Sequence, residues 1–383
     1  EGNILYGDIT WGAGGTTSEQ TMDIAIAMRK EFGIVANMHL TCTNIEASKV
    51  DEALSTAMAN GIRNIVALRG DAPAGQEKWE ATEGGFNCAL DLVKHIRSRF
   101  GGEFCISVAG YPEGHPDKIS VVEGGVASLT ASEKRRCSVS VGPDGKELVQ
   151  VCRDADFTKE LAYLKEKVDA GADFILTQMF FDTDVYLAFV EDCRRVGIMV
   201  PVVPGIMCLN SFGGFKKMAA MCKTRVPADL EAKMAAAQES TEAVKKVGIE
   251  FGAEMSRALT AGGAPGLHYY TLNLEVVTMG ILDELGLRVK PDAKISELIK
   301  AHQGEKPWTA FEFFPPRTES GVNNLKARLP RMKAEGNILY GDITWGAGGT
   351  TSEQTMDIAI AMRKEFGIVS CQYAKGGLSG FGR

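Results

Sequence analysis

Three side chains stand where proton or hydrogen-bond chemistry could be done. Glu312 lies in AFEFFPP (310–316), flanked by aromatic rings. A carboxyl group partly desolvated by such neighbours stays protonated near neutral pH and can act as a general acid. A surface glutamate at a strand end reads equally well from the residues alone. Asp71 closes ALRGD (67–71), just ahead of Ala72-Pro73, so it is either a functional carboxylate or the cap of a turn. Gly70 before it suits close backbone approach to a bound molecule. Gln178, in LTQMFF (176–181), offers an amide donor and acceptor, or is an ordinary buried Gln held by backbone. His39, Asp71 and Gln178 all lie beside apolar strand runs, which favours function over mere loop polarity.

These side chains need strands to hold them. Short apolar runs occur at Leu5–Trp11, Val35–Thr41, Asn64–Arg69, Phe104–Gly110, Asp173–Met179, Val200–Met207, Leu267–Leu272 and Ala310–Phe314. They are nearly all apolar, as strands covered on both faces are. Amphipathic segments such as Ala89–Phe100 and Asp156–Ala170 fall between them. Strands alternating with helices predict a parallel sheet, and eight of them fit a closed TIM-type (β/α)₈ barrel better than an open sheet. The runs finish in polar or turn residues: Asp8 and Thr10, His39 and Thr41, Arg69 to Asp71, Tyr111 to His115, Thr177 and Gln178, and Thr271 to Asn273. A barrel of this kind carries its site at those C-terminal ends. Residues 119–152 break the alternation, with two alternating runs around Pro143-Asp144-Gly145 that predict a β-hairpin decorating the rim.

Of the 383 residues, 45% are hydrophobic and 24% charged, with a formal net charge of −7. That balance argues against a general nucleic-acid binder. No apolar run is long enough to span a bilayer, and the first ten residues lack the order of a signal peptide. Nine cysteines without a Cys-x-x-Cys pair argue against a disulfide framework and a structural zinc site, so no metal is expected. They read as thiols in a reducing, cytoplasmic compartment. No GxGxxG follows a strand, which argues against a Rossmann site.

Residues 1–35 recur letter for letter at 335–369. Solenoid repeats are divergent and more numerous, so the chain reads as a window cut from two tandem copies of one protein, with a seam near Val289–Asp292. The second to eighth strands then lie in 1–290, a linker with a helix in 291–309, and the first strand with its helix in 310–334. The duplicate and an unmatched tail fill 335–383, and the N-terminal copy is expected to take the second-strand position. An inactive fragment, or a barrel that binds its ligand without turnover, would show the same duplication.

Nine stretches together resemble the methylenetetrahydrofolate reductases: FEFFPPRT (311–318), GDITW (7–11), MHLTC (38–42), ALRGD, EGGFNCALDLVKHIR (83–97), VAGYPEGHP (108–116), LKEKVDAGADFILTQMFFD (164–182), VPGIM (203–207) and GLHYYTLN (266–273). They follow the family's cyclic order, except that the EFFPP strand, first in the family, comes last here. The resemblance implies FAD, with NADH or NADPH as cosubstrate, and reduction of 5,10-methylenetetrahydrofolate to 5-methyltetrahydrofolate in one-carbon metabolism. It makes Glu312 the acid that protonates the departing folate N10. It places Asp71 near the flavin and the pterin, where its charge would oppose the anionic reduced flavin and favour a cationic folate iminium, and Gln178 on the pterin. It assigns flavin contacts to Thr10, Trp11, His39, Arg69, Gly70, Asp71, Cys88, Ala89, Tyr111, His115, Pro116, Asp117, Lys118, Glu160 and Lys167. Among these, Arg69, His115 and Lys167 would neutralise the pyrophosphate. Phe212 and Tyr270 join Asp71 and Gln178 on the folate, and Glu312, Phe313, Phe314, Pro315, Pro316 and Arg317 meet the nicotinamide cosubstrate. Leu274 stands where the family often has an Arg for the folate tail, so that tail would bind differently or more weakly. With no regulatory domain after the barrel, inhibition by S-adenosylmethionine is expected to be absent. Small molecules are the expected partners, in a homo-oligomer, with neither nucleic acid nor membrane.

Overall fold

The computed structural model describes residues 5–10, 18–32, 35–43, 45–70, 81–142, 145–272, 274–285, 309–311, 318, 320–321 and 324. Glu312, Asp71, Trp11, Phe313–Arg317, the seam and the second copy of the repeat lie outside them.

The first half alternates strand and helix: β1 (Gly7–Ile9), α1 (Ser18–Phe32), β2 (Ala36–Thr41), α2 (Ala47–Ala59), β3 (Asn64–Leu68), α3 (Ala89–Phe100) and β4 (Cys105–Gly110). A rim insertion follows, made of β5 (Ile119–Val121), α4 (Ala131–Arg136), β6 (Ser138–Val141) and β7 (Glu147–Cys152). Alternation resumes with α5 (Asp154–Asp169), β8 (Phe174–Thr177), α6 (Thr183–Arg195), β9 (Val202–Val203), β10 (Gly205–Met207), α7 (Phe212–Cys222), α8 (Ala228–Ala237), α9 (Thr241–Ala261), β11 (Leu267–Tyr270), α10 (Glu275–Leu285) and β12 (Thr309–Phe311). All eight predicted strand runs contain strand, and α3 matches its predicted span.

Parallel pairing gives one sheet in the order β1-β2-β3-β4-β8-β9 and a second in the order β10-β11-β12. The run predicted as one strand over Val200–Met207 is split between them at Pro204. Proline has no N–H to give a ladder. Around it the Gly205 N–H turns to the Thr177 hydroxyl (2.9 Å), while the Pro204 carbonyl accepts from His268 N (3.1 Å). The sheet therefore curls at this point, and β12 comes to lie beside β1.

The main core runs through this curl. Leu5, Tyr6 and Ile9 of the first run pack in one cluster with Met38, Ile65, Ile106, Phe174 and Tyr269 from five further strands. Strands β1, β3 and β8 bury nearly every residue, as their apolar runs require. Helix α3 covers the sheet with Leu92, Val93 and Ile96, whose spacing makes one apolar stripe.

The insertion is more than the predicted hairpin. Strands β6 and β7 pair antiparallel around the turn, and β5 joins β7 as a third strand. Leu129, Cys137, Val149 and Val151 give it a small core of its own. Thr130 and Glu133 cap α4 reciprocally. Buried Arg136 fastens it to α5, donating to the Cys152 carbonyl (2.9 Å) and lying 4.2 Å from the Phe157 ring centroid.

Candidate active site

The C-terminal ends of β3 and β4 meet the start of α3 and one face of α5 around a cavity of about 370 Å³. Its apolar side comes from Phe157, Leu161, Leu164 and Phe189, and its polar side from Arg69, Tyr111, His115, Asp117, Lys118, Glu160, Tyr163 and Lys167. Cys88 and Ala89 open α3 onto the same space. The amide groups of a helix N-terminus attract anions. Gly110, which lines the cavity, lets β4 approach β8 closely: a Cβ there would meet Ile175 at 2.6 Å.

Nine of the fifteen positions assigned to flavin line this cavity: Arg69, Cys88, Ala89, Tyr111, His115, Asp117, Lys118, Glu160 and Lys167. Their chemistry differs in part from that expected. Lys167 is buried and spends its ammonium on the Ala109 carbonyl (2.9 Å), 4.9 Å from the Tyr163 ring centroid. Burial pulls its pKa down to about 8, against the upward pull of Glu160, so it is still mostly a cation at pH 7. His115 accepts the Asp117 N–H on Nδ1 (3.2 Å), and burial lowers its pKa. It is therefore a neutral imidazole with Nε2–H to donate, even though Nδ1 lies 3.4 Å from the Asp117 carboxylate. Pyrophosphate neutralisation would fall on Arg69, Lys118 and Lys167, with His115 as a hydrogen-bond donor. Arg69 is half shared with Asp117, 3.9 Å away.

Thr10, His39, Gly70 and Pro116 are not in the lining. Thr10 follows β1, and its carbonyl accepts from Thr21 Oγ1 (3.2 Å). His39 instead joins a buried group inside the curl. Asp8 Oδ2 lies 3.3 Å from Nε2 of His39 and 3.6 Å from Nε2 of His268, and Oδ1 accepts from Asn37 Nδ2 (2.6 Å).

The folate candidates gather one strand further on. Gln178 follows β8, and its amide oxygen accepts the Met179 N–H (2.8 Å), which leaves the NH₂ end as donor. The Tyr270 hydroxyl donates to the Thr177 carbonyl (2.9 Å), next to Gln178. Phe212 opens α7 behind the Ser211 cap and packs on the cluster that Tyr270 also joins. Leu272, two residues beyond Tyr270, sits at φ +49°, a strained conformation for a branched side chain.

Tyr163 and His268 were not singled out from sequence, and Asp8 was noted only as a polar residue at a strand end. The first had a signal: Glu160, Tyr163, Leu164 and Lys167 follow the i, i+3, i+4, i+7 spacing of one helix face. The Asp8–His268 contact joins distant strands, and no local pattern encodes it. His95 is structural, with Nε2 2.6 Å from Asp51.

Fold and site define a parallel α/β protein with a basic, aromatic-walled cavity at its strand ends. The model of the methylenetetrahydrofolate reductase family matches residues 2–286 and 295–374, and the break between the two matches spans the Val289–Asp292 seam. The chain is 42% identical over 363 residues to methylenetetrahydrofolate reductase (NADH) 1 of Arabidopsis thaliana, covering 92% of this chain and 55% of that protein. It is 48% identical over 280 residues to its Zea mays namesake, covering 73% of this chain and 43% of that one. Against the 5,10-methylenetetrahydrofolate reductase of Escherichia coli it is 32% identical over 280 residues, covering 73% of this chain and 80% of that one. The chain belongs to the methylenetetrahydrofolate reductase family, and it spans about half the length of the plant relatives it matches.

Proposed function

We propose that this chain reduces 5,10-methylenetetrahydrofolate to 5-methyltetrahydrofolate with NADH or NADPH, using FAD held in the cavity. The observation that carries this reading is convergence. Nine positions spread from Arg69 to Lys167 meet around one space. Its apolar wall suits a flat ring system, and its cations with the α3 N-terminus suit a pyrophosphate. FAD when bound would supply the hydride chemistry. The chain's own residues do the rest. Arg69, Lys118 and Lys167 hold the anionic bridge, and the His115 Nε2–H donates to it. Gln178 and Tyr270 orient the pterin beside Phe212. Glu312 delivers the proton to the departing N10, and Asp71 supplies a negative charge near the reacting ring. The plant relatives carry NADH in their names, which favours NADH here.

The same reading treats both parallel sheets as one TIM-type barrel of permuted order. Only Pro204 separates β9 from β10, and β12 lies beside β1, which belongs to the N-terminal copy of the repeat. The visible absorption spectrum of the purified chain tests the site. Flavin bands, present on isolation or restored by added FAD, are the expected result. Their absence after reconstitution would overturn the reading.

A further inference from the structure

We infer that the turn Lys223–Thr224–Arg225 is a positioning element for the cofactor cavity, clamping its His115–Lys118 wall in place from outside. The inference rests on the reading of that cavity as the flavin site.

Lys223 ends α7 at φ 51°, ψ 36°, in the left-handed region. The left-handed region is disfavoured for a residue with a Cβ, and such strain persists where the surroundings hold it. Here the side chain is what is held. Its ammonium donates to the Pro116 carbonyl (2.7 Å) and the Ile119 carbonyl (2.8 Å). These two carbonyls bracket Asp117 and Lys118, both on the cavity wall. The next residue, Thr224, donates its hydroxyl to the Glu113 carboxyl group, and the Arg225 N–H donates to Glu113 Oε1 (2.6 Å). Glu113 and Thr224 are both buried. Three consecutive residues thus grip the loop at 113, 116 and 119, about a hundred residues earlier in the chain. None of the three lines the cavity.

The same turn also reaches the loop after β8. Thr224 Oγ1 lies 3.5 Å from the Met179 carbonyl, and Arg225 Nε lies 3.0 Å from Asp182. Gln178 is the neighbour of Met179. One turn therefore fixes the flavin wall against the segment that carries the pterin amide. Releasing both carbonyls frees the wall to move out of position, so a ligand held there should be loosened by roughly tenfold or more.

The test uses the full chain loaded with FAD and diluted, with release read as the recovery of free-flavin fluorescence. Lys223→Met keeps the stem and removes both donors. Lys223→Arg keeps a cation that can reach the two carbonyls. Lys223→Met should release flavin 10- to 100-fold faster, Lys223→Arg should release it near the unchanged rate, and the flavin-free melting temperatures should agree within a few degrees. Thr224→Val should also speed release, with Thr224→Ser restoring it. Unchanged release in Lys223→Met and Thr224→Val would overturn the inference. So would faster release that tracks a lowered flavin-free melting temperature and is not rescued by Arg or Ser, because that describes plain destabilisation. An unchanged chain that binds no FAD would overturn the reading of the cavity itself, and the inference with it.

Discussion

Asp8 and His268 face each other inside the curled sheet, both fully buried, with Oδ2 and Nε2 3.6 Å apart. They sit on β1 and β11, more than 250 residues apart in the chain, yet β12 is all that lies between those strands. His39 approaches the same oxygen from β2, so one carboxylate joins three strands across the curl. Leaving a buried polar group without its partner costs about 1–3 kcal/mol. Asp8→Asn keeps the shape and replaces one carboxyl oxygen with an NH₂ that cannot accept. Its urea unfolding midpoint should fall accordingly, whereas an unchanged midpoint would mean that the contact contributes nothing.

Lys167 gives a pH prediction with a definite sign. Its folded pKa, about 8, lies below its unfolded value of 10.5, because burial disfavours the ammonium. Between those values the unfolded chain binds the extra proton, so this group's contribution to stability rises with pH across that window. Anion binding goes the other way, since the cation is lost as pH passes about 8. FAD affinity, measured by fluorescence titration, should therefore weaken from pH 7 to 9.5, and Lys167→Met should bind weakly with that dependence gone. A wild-type affinity that is flat with pH would remove Lys167 from the anion site.

Glu113 titrates with the opposite consequence. Burial raises its pKa from 4.5 to about 8, outweighing the donors from Thr224 and Arg225. The folded chain then holds a proton that the unfolded chain releases, so stability from this group is full below pH 4.5 and is lost as pH climbs to about 8. In Glu113→Gln, the slope of unfolding free energy against pH should flatten across that interval. A slope identical to that of the unchanged chain would contradict the buried, protonated state.

Much of this was legible in the residues, for identifiable reasons. The strands were readable because both their faces are covered, which leaves uninterrupted apolar runs such as Phe174–Thr177. The cavity was readable in part through ALRGD and VAGYPEGHP, which end β3 and β4. Pro204 is visible in the sequence, but its effect as a strand break depends on which strands flank it. The third strand of the insertion is only Ile119–Val121, too short for periodicity to reveal. The Lys223 clamp could not be read, because a lysine at a helix end is ordinarily solvated and its two acceptors are backbone carbonyls.

Glu312 bears on the chemistry most directly. Glu312→Gln keeps the shape and removes the transferable proton. The half-reaction with NAD(P)H should keep its rate, while the half-reaction with methylenetetrahydrofolate should slow by roughly 10²–10⁴-fold. Equal loss in both would indicate misfolding rather than a missing acid.

The central claim is that this chain, through the cavity at its strand ends, turns over folate. The decisive measurement mixes the purified, FAD-loaded full chain with NADH and 5,10-methylenetetrahydrofolate without oxygen, and follows NADH absorbance together with product. The account predicts that NADH is consumed one for one with 5-methyltetrahydrofolate formed. A chain that holds FAD firmly but consumes no NADH, with either this acceptor or a quinone, would contradict it and leave a flavin-binding barrel without turnover.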